Sequence, residues 1–219
     1  MKINILSFDA VIFDLDGTLI DSLPDMALAL NKLLIDGGRR ELKNSEVSGL
    51  IGKGAPKMIE AAFNLTGIPI SSQEIPHAYS LYTQYYSECP AKESKIYRGV
   101  QDTLEKLEKE NIKMGVCSNK SSQMVKIIIE AFGLKKYFCG VTGGDDTLFQ
   151  KPDGRHILDT LNQMNALDRN ALMVGDTIND VDAAKDAGLP IVSVSYGYGN
   201  LAEIESSDQI VNDLRELLF

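Results

Sequence analysis

Short apolar runs alternate with amphipathic patterns along most of this chain, and this alternation constrains the fold more than any other feature. Five runs are predicted to be buried strands, at residues 10–13, 112–118, 138–143, 171–175 and 190–195. Between two of them, Met124, Ile127, Ile128 and Ala131 recur at helical spacing. Strands that alternate with helices predict a parallel sheet with helices on both faces. We therefore expect an α/β fold built on a doubly wound, Rossmann-like parallel sheet.

One long stretch, from about residue 20 to residue 89, departs from this alternation. It carries consecutive helical patterns and no strand pattern. We interpret residues 20–89 as an all-helical cap domain inserted into a Rossmann-like catalytic core of residues 1–19 and 90–219. The two connections, near Ile20 and from Cys89 to Tyr97, are the expected hinges.

The composition limits the classes of partner. The chain has 219 residues and a net charge of −9, so its surface as a whole repels nucleic acid, although a small anionic substrate remains compatible with a locally positive site. No apolar run approaches the length needed to span a membrane. The three cysteines are scattered and form neither a disulfide framework nor a metal-binding pattern. The N-terminal stretch does not resemble a signal peptide, so we expect a cytoplasmic protein with no nucleic-acid or membrane partner.

Polar residues follow four of the predicted strands. Because the carboxyl ends of parallel strands lie along one edge of a sheet, these residues are expected to converge there and form a site. They are Asp14 and Asp16 after the first strand, Ser118 and Asn119 after the second, Lys151 beyond the third, and Asp176 and Asp180 after the fourth.

The chemistry that these residue types favour is phosphoryl transfer. Asp14 and Asp176 supply the hard oxygen ligands that suit Mg²⁺, which binds one or two carboxylates together with a substrate phosphate. A carboxylate can also attack phosphorus and form an aspartyl-phosphate. Mg²⁺ and Lys151 would then offset the repulsion between the attacking carboxylate and the negatively charged phosphate group.

The remaining polar residues fit supporting roles in the same reaction. Ser118 and backbone N–H groups near Asn119 are expected to bind the other phosphate oxygens. Asp16 is placed to protonate the leaving oxygen and afterwards to activate water. Gly17 lets the backbone approach the site closely. The expected partner is a small phosphorylated substrate.

Four short motifs, DLDGTLIDS, SNK, KPD and GDTIND, occur in this order between residues 14 and 180. Together they resemble the motifs of the haloacid dehalogenase superfamily, on its phosphatase branch, in which a helical cap commonly follows the first motif. The resemblance implies that Asp14 is the nucleophile and Asp16 the general acid and base. It also implies that Asp14, the Asp16 carbonyl and Asp176 hold Mg²⁺, with Asp180 in or near the next layer of residues.

Longer segments, among them GLIGKGA, GGDDTLFQKPD and SYGYGN, are similar to those of bacterial phosphoglycolate phosphatases. This similarity implies 2-phosphoglycolate as the substrate. The alternatives are a phosphatase for another small phosphate (pyrophosphate, a nucleotide or a sugar phosphate), a phosphosugar mutase, or a binding protein on a degenerate fold. A dehalogenase is disfavoured because that branch replaces the second aspartate, whereas Asp16 is present.

Two sets of residues have a plainer interpretation. Asp176 and Asp180 also suit the first turn of a helix, where carboxylates complement the helix dipole. Lys53, in the glycine-rich loop IGKGAP, is either a solvated surface lysine or a residue that binds the substrate. We carry Lys53 forward as a candidate substrate-binding residue.

Overall fold

The computed structural model describes residues 2–219, and its largest feature is a six-stranded sheet whose neighbouring strands are all parallel. In sheet order the strands are β5 (Gly140–Thr142), β4 (Lys113–Cys117), β1 (Ala10–Phe13), β6 (Ala171–Gly175), β7 (Ile191–Val194) and β8 (Gln209–Val211). If the six strands are numbered by their order along the chain, their order across the sheet is 3-2-1-4-5-6. This is the doubly wound arrangement that the sequence predicts, and the strand order reverses between β1 and β6.

Helices connect the strands and cover the sheet. They are α5 (Val100–Lys109), α6 (Ser122–Ala131), α7 (Gly154–Gln163), α8 (Ile178–Asp186) and α9 (Leu201–Ile204), with 3₁₀ turns at Ile5–Ser7, Lys135–Tyr137 and Leu214–Leu218. Every residue of β1, β6 and β7 is buried, as expected for strands covered on both faces. One apolar cluster joins Ala10 and Ile12 of β1 to Ile157 and Leu161 of α7 and Val181 of α8. This packing fixes the strand ends that carry the polar residues.

The chain divides into two compact units, one containing residues 2–21 and 96–219 and the other Ser22–Lys95. The second unit is helical and contains α1 (Leu23–Asp36), α2 (Asn44–Ser48), α3 (Ala55–Thr66) and α4 (Ile75–Glu88). Its interior is mostly apolar, with Leu30, Ile59 and Tyr86 buried. Two short strands, β2 (Ile20–Asp21) and β3 (Lys95–Ile96), form a separate two-stranded sheet.

The predicted strands agree closely with the observed ones. Those predicted at residues 10–13 and 171–175 have the predicted bounds, and the other three are shorter by one or more residues at each end. β8 was not predicted, because this edge strand has only three residues and Ile210 at its centre is exposed. Within residues 2–219, no helix is both long and apolar enough to cross a membrane.

Candidate active site

The first two candidate ligands lie at the point where the strand order reverses. Asp14 directly follows β1, and its backbone N–H donates to the Val174 carbonyl of β6 at 2.9 Å. Asp176 directly follows β6. Carboxylate oxygens of Asp14, Asp176 and Asp180 lie within 4.8 Å of one another, and all three residues are buried. The crevice at such a reversal is where doubly wound sheets bind their ligands.

Lys151 reaches into this cluster from the loop that precedes α7. Its buried ammonium group donates to Asp14 Oδ1 at 2.7 Å, to Asp180 Oδ1 at 2.6 Å and to the Cys117 carbonyl at 2.7 Å. Burial by itself lowers the pKa of Lys151, but the two carboxylates outweigh it and raise the pKa above its ordinary value. Lys151 is therefore a permanent cation at the candidate nucleophile.

The electrostatics of the cluster favour a further cation. Burial raises the pKa of Asp14 to about 7, against the opposing attraction of Lys151, and the nearby charge of Asp180 adds to the increase. The pKa of Asp176 is raised for the same reasons, first burial and then repulsion from Asp14 and Asp180. A bound cation would remove this cost by compensating the charged forms of both side chains.

The charge balance of the site fits a divalent ion. Four carboxylates, those of Asp14, Asp16, Asp176 and Asp180, face two ammonium groups, those of Lys120 and Lys151. With all groups ionised, two negative charges are left uncompensated. Oxygen donors with this net charge suit a hard cation such as Mg²⁺.

Asp180 differs from the other two members of the cluster because its oxygens accept more hydrogen bonds than those of Asp14 or Asp176. Oδ1 accepts from Lys151, and Oδ2 accepts from the backbone N–H and hydroxyl of Thr177 at 2.9 and 2.8 Å. Thr177 and Asp180 form a capping box at the start of α8. Asp180 thus serves the helix and also orients Lys151, which leaves Asp14 and Asp176 as the better placed carboxylates for a metal.

Asp16 has a partner that the sequence analysis missed. Lys120 donates from its ammonium group to both carboxylate oxygens of Asp16, at 2.8 and 2.7 Å, and both side chains are almost completely buried. Lys120 is the third residue of SNK, at the end of the strand that also supplies Ser118. Its position directly after the predicted site residue Asn119 could have indicated that Lys120 lies in the site, but a lysine considered alone is usually solvated.

The loop after β4 positions the site in two ways. Ser118 is buried, and its hydroxyl accepts from the backbone N–H of Lys120 at 3.3 Å. The Asn119 side chain pairs with the backbone of Lys151, accepting from its N–H at 2.9 Å and donating to its carbonyl at 2.8 Å. This places both residues beside Lys151 and Lys120, and their contact with a phosphate stays a prediction.

Close backbone approach also shapes the site. Gly17 has φ +92, and a Cβ atom at this position would overlap the carboxylate of Asp176. A further segment that the sequence analysis left without a role, residues 196–199, lies against Asp176 as well: the Tyr198 backbone N–H donates to Asp176 Oδ2 at 2.7 Å. The signal for this segment was its position directly beyond the carboxyl end of β7, at the edge of the sheet that holds the other site residues.

Lys53 is the one predicted site residue that belongs to the helical unit. It is exposed and lies in the loop before α3, between Gly52 and Gly54, which both have positive φ. Its role in binding a substrate stays a prediction.

Comparisons with known proteins identify the family to which this chain belongs. A family model described as haloacid dehalogenase-like hydrolase matches residues 11–194. The phosphoglycolate phosphatase of Agrobacterium fabrum is 36% identical over 203 residues, which cover 92% of this chain and 87% of that protein. A crystal structure of a predicted phosphoglycolate phosphatase from Haemophilus somnus 129pt matches with a TM-score of 0.89 at 30% identity, covering 96% of each chain. With a family model over most of its length and relatives of this similarity, the chain belongs to the haloacid dehalogenase-like hydrolases.

Proposed function

We propose that this protein is a Mg²⁺-dependent phosphomonoester hydrolase that acts through an aspartyl-phosphate on Asp14, with 2-phosphoglycolate as its substrate. The observation that carries the proposal is the buried Asp14 carboxylate, held by Lys151 and adjacent to Asp176 where the strand order reverses. The substrate follows from similarity, because relatives at 34–36% identity are named phosphoglycolate phosphatases. Residues 20–89 would form the helical cap domain of this enzyme.

In the first half-reaction, an oxygen of Asp14 attacks the phosphorus atom while the bond from phosphorus to the leaving oxygen breaks. Lys151 stabilises the charge that develops on the transferring group. Asp16, in its protonated form, donates a proton to the leaving oxygen, so that the alcohol departs neutral. In the second half-reaction, Asp16 takes a proton from water, the water oxygen attacks phosphorus, and Asp14 is released as a carboxylate.

Asp14 and Asp176, with the carbonyl of Asp16, are the groups that would hold the metal. When bound, Mg²⁺ supplies positive charge that reduces the repulsion between the substrate and the carboxylates. Ser118 and backbone N–H groups near Asn119 would bind the other phosphate oxygens.

The test is a phosphate-release assay of the wild type and Asp14→Asn, each with and without Mg²⁺. The panel contains 2-phosphoglycolate, pyrophosphate, a nucleotide, a sugar phosphate and an aryl phosphate. We expect Mg²⁺-dependent release, fastest for 2-phosphoglycolate, and no turnover or covalent phosphoenzyme in folded Asp14→Asn. An Asp14→Asn protein that keeps turnover would contradict the mechanism. A different preferred phosphate would contradict the substrate alone, and a requirement for a sugar bisphosphate would indicate a mutase.

A further inference from the structure

We propose that residues 196–199, the tyrosine–glycine segment, position the Asp176 carboxylate for binding the divalent cation, and that Tyr196 and Tyr198 are positioning residues of the metal site. This inference rests on the cation site proposed above, since it concerns one ligand of that site. Neither the sequence motifs nor the cluster of carboxylates assigns a role to Tyr196 or Tyr198.

The first observation is that both oxygens of Asp176 are fixed by separate donors. Oδ2 accepts from the Tyr198 backbone N–H at 2.7 Å, and Oδ1 accepts from the Thr18 hydroxyl at 3.1 Å. A carboxylate held at both oxygens cannot rotate freely about its terminal bond. Each oxygen keeps a further lone pair, so the plane in which Asp176 presents its electrons to a cation is set by these two donors.

The second observation is the fit between the segment and Asp176. A Cβ atom at Gly197 would overlap the Asp176 carboxylate and would also lie against the Gly17 carbonyl. The segment therefore passes so close to the ligand that its backbone fills the space a side chain would need. Asp176 is enclosed between this backbone and that of Gly17, and it is completely buried.

The third observation is that two tyrosine hydroxyls fix the segment itself. The Tyr196 hydroxyl donates to the Thr18 carbonyl at 2.8 Å, and the Tyr198 hydroxyl donates to Asp21 Oδ1 at 2.9 Å. The ring of Tyr196 also packs on that of Tyr97, with centroids 4.5 Å apart. Thr18 is thus held by the segment through its carbonyl and holds Asp176 through its hydroxyl, so both donors to Asp176 depend on the tyrosines.

The expected consequence is a change in metal affinity. Mg²⁺ tolerates little departure from octahedral geometry, so a ligand that gains rotational freedom binds it less well. Removing a group that orients a metal ligand typically lowers affinity by about 10- to 100-fold. The tyrosine hydroxyls act one contact further away, and we expect the lower end, about 10-fold, for Tyr198→Phe or Tyr196→Phe.

The experiment measures binding of Mn²⁺, an EPR-visible substitute for Mg²⁺, to the full-length protein without substrate. The variants are Tyr198→Phe, Tyr196→Phe and Gly197→Ala, with Asp176→Asn to mark the site. Tyr85→Phe is the matched control, because its hydroxyl also donates to an aspartate, Asp36, but within the helical unit. Thermal unfolding of each variant separates a loss of affinity from a loss of fold.

We expect a weaker Kd for Mn²⁺ in both tyrosine variants, a larger loss in Gly197→Ala, and no change in Tyr85→Phe. If Asp176→Asn loses binding while both tyrosine variants bind as the wild type does, the positioning role is wrong and the cation site stands. If Asp176→Asn binds Mn²⁺ as the wild type does, the cation site itself is wrong and this inference fails with it. The two tyrosine variants decide the question even if Gly197→Ala does not fold.

Discussion

Lys120 donates from its ammonium group to both carboxylate oxygens of Asp16, at 2.8 and 2.7 Å, although 104 residues separate the two along the chain. The pair joins the loop after β1 to the loop after β4. Because only about a tenth of either side chain is exposed, the attraction between the two charges is only weakly screened by water and salt.

Lys120→Met is expected to lower the free energy of unfolding by about 3–5 kcal/mol, the usual cost of breaking a buried ion pair by removing one of its members. Urea unfolding of the metal-free protein measures it. The double variant Asp16→Asn/Lys120→Met is expected to recover part of this loss. Lys32→Met is the control, because it removes an ion pair with Glu88 in which both side chains are about half exposed. Loss of such an exposed pair is expected to cost at most about 1 kcal/mol. Equal losses in Lys120→Met and Lys32→Met would contradict the coupling.

Asp16→Asn is expected to slow the hydrolysis of substrates with poor leaving groups more than those with good ones. General acid catalysis contributes roughly 10²–10⁴-fold, and an activated aryl phosphate needs less of it because its leaving oxygen departs as a stable anion. The measurement is kcat for a series of aryl and alkyl phosphates in the wild type and the variant. Equal losses across the series would indicate that Asp16 is purely structural.

Asn119→Ala is expected to lower kcat, because the Asn119 amide pairs with the backbone N–H and carbonyl of Lys151. Two lost hydrogen bonds also cost about 1–3 kcal/mol of stability. Asn31→Ala is the matched control, since Asn31 pairs with the backbone of Leu42 in the same two-bond manner within the helical unit.

Steady-state kinetics and urea unfolding of Asn119→Ala and Asn31→Ala separate the possible roles of Asn119. We expect similar losses of stability in the two variants and a large drop in kcat only in Asn119→Ala. A raised KM with unchanged kcat would show instead that the Asn119 side chain binds the substrate phosphate.

His156 is expected to make the protein less stable as the pH falls. Burial, together with the charge of Lys151, lowers the pKa of His156 to about 4. Below the ordinary pKa near 6.5, the unfolded chain binds a proton that the folded protein does not accept until about pH 4, so the free energy of unfolding decreases through this range. The decrease in the free energy of unfolding approaches about 3 kcal/mol as the pH nears about 4.

Urea unfolding at about pH 7 and about pH 5 tests this effect of His156. His156→Gln keeps a side-chain donor that can reach the Gly143 carbonyl, which His156 Nε2 contacts at 3.2 Å, but it has no titrating ring. We expect the variant to lose less stability than the wild type between the two pH values. Equal losses would mean that other groups cause the acid sensitivity.

Lys53→Ala is expected to raise KM for 2-phosphoglycolate, because a lost hydrogen bond to a charged group costs about 1.5–3 kcal/mol. The lost bond would be to the carboxylate of 2-phosphoglycolate. Hydrolysis of an aryl phosphate, which has no such carboxylate, should therefore change little. Lys57→Ala provides the control, since Lys57 is an exposed lysine two residues into α3 that pairs with Glu60. If both substrates are affected alike, Lys53 does not bind the carboxylate, and if neither is affected, it is a solvated surface lysine.

The sequence by itself determined five of the six strands of the main sheet and the edge at which Asp14, Asp176 and Lys151 meet. β1 and β6 are continuous apolar runs that end at Asp14 and Asp176, and a local pattern of this kind reports burial directly. Once the strands are parallel, general rules for doubly wound sheets bring their carboxyl ends together, so Asp14, Asp176 and Lys151 could be placed in one site without any knowledge of side-chain contacts.

Only the tertiary structure decided how the site residues are held. Lys120 meets Asp16 across 104 residues, and the Tyr198 hydroxyl meets Asp21 across 177. Such pairs leave no periodic signal, because Lys120, Asp16 and Tyr198 belong to loops whose paths are set by the packing of the elements beside them, and Asp21 belongs to a strand of only two residues. A lysine after a strand or a tyrosine between glycines has many solvated conformations available, and the contact that selects one of them exists only after the chain has folded.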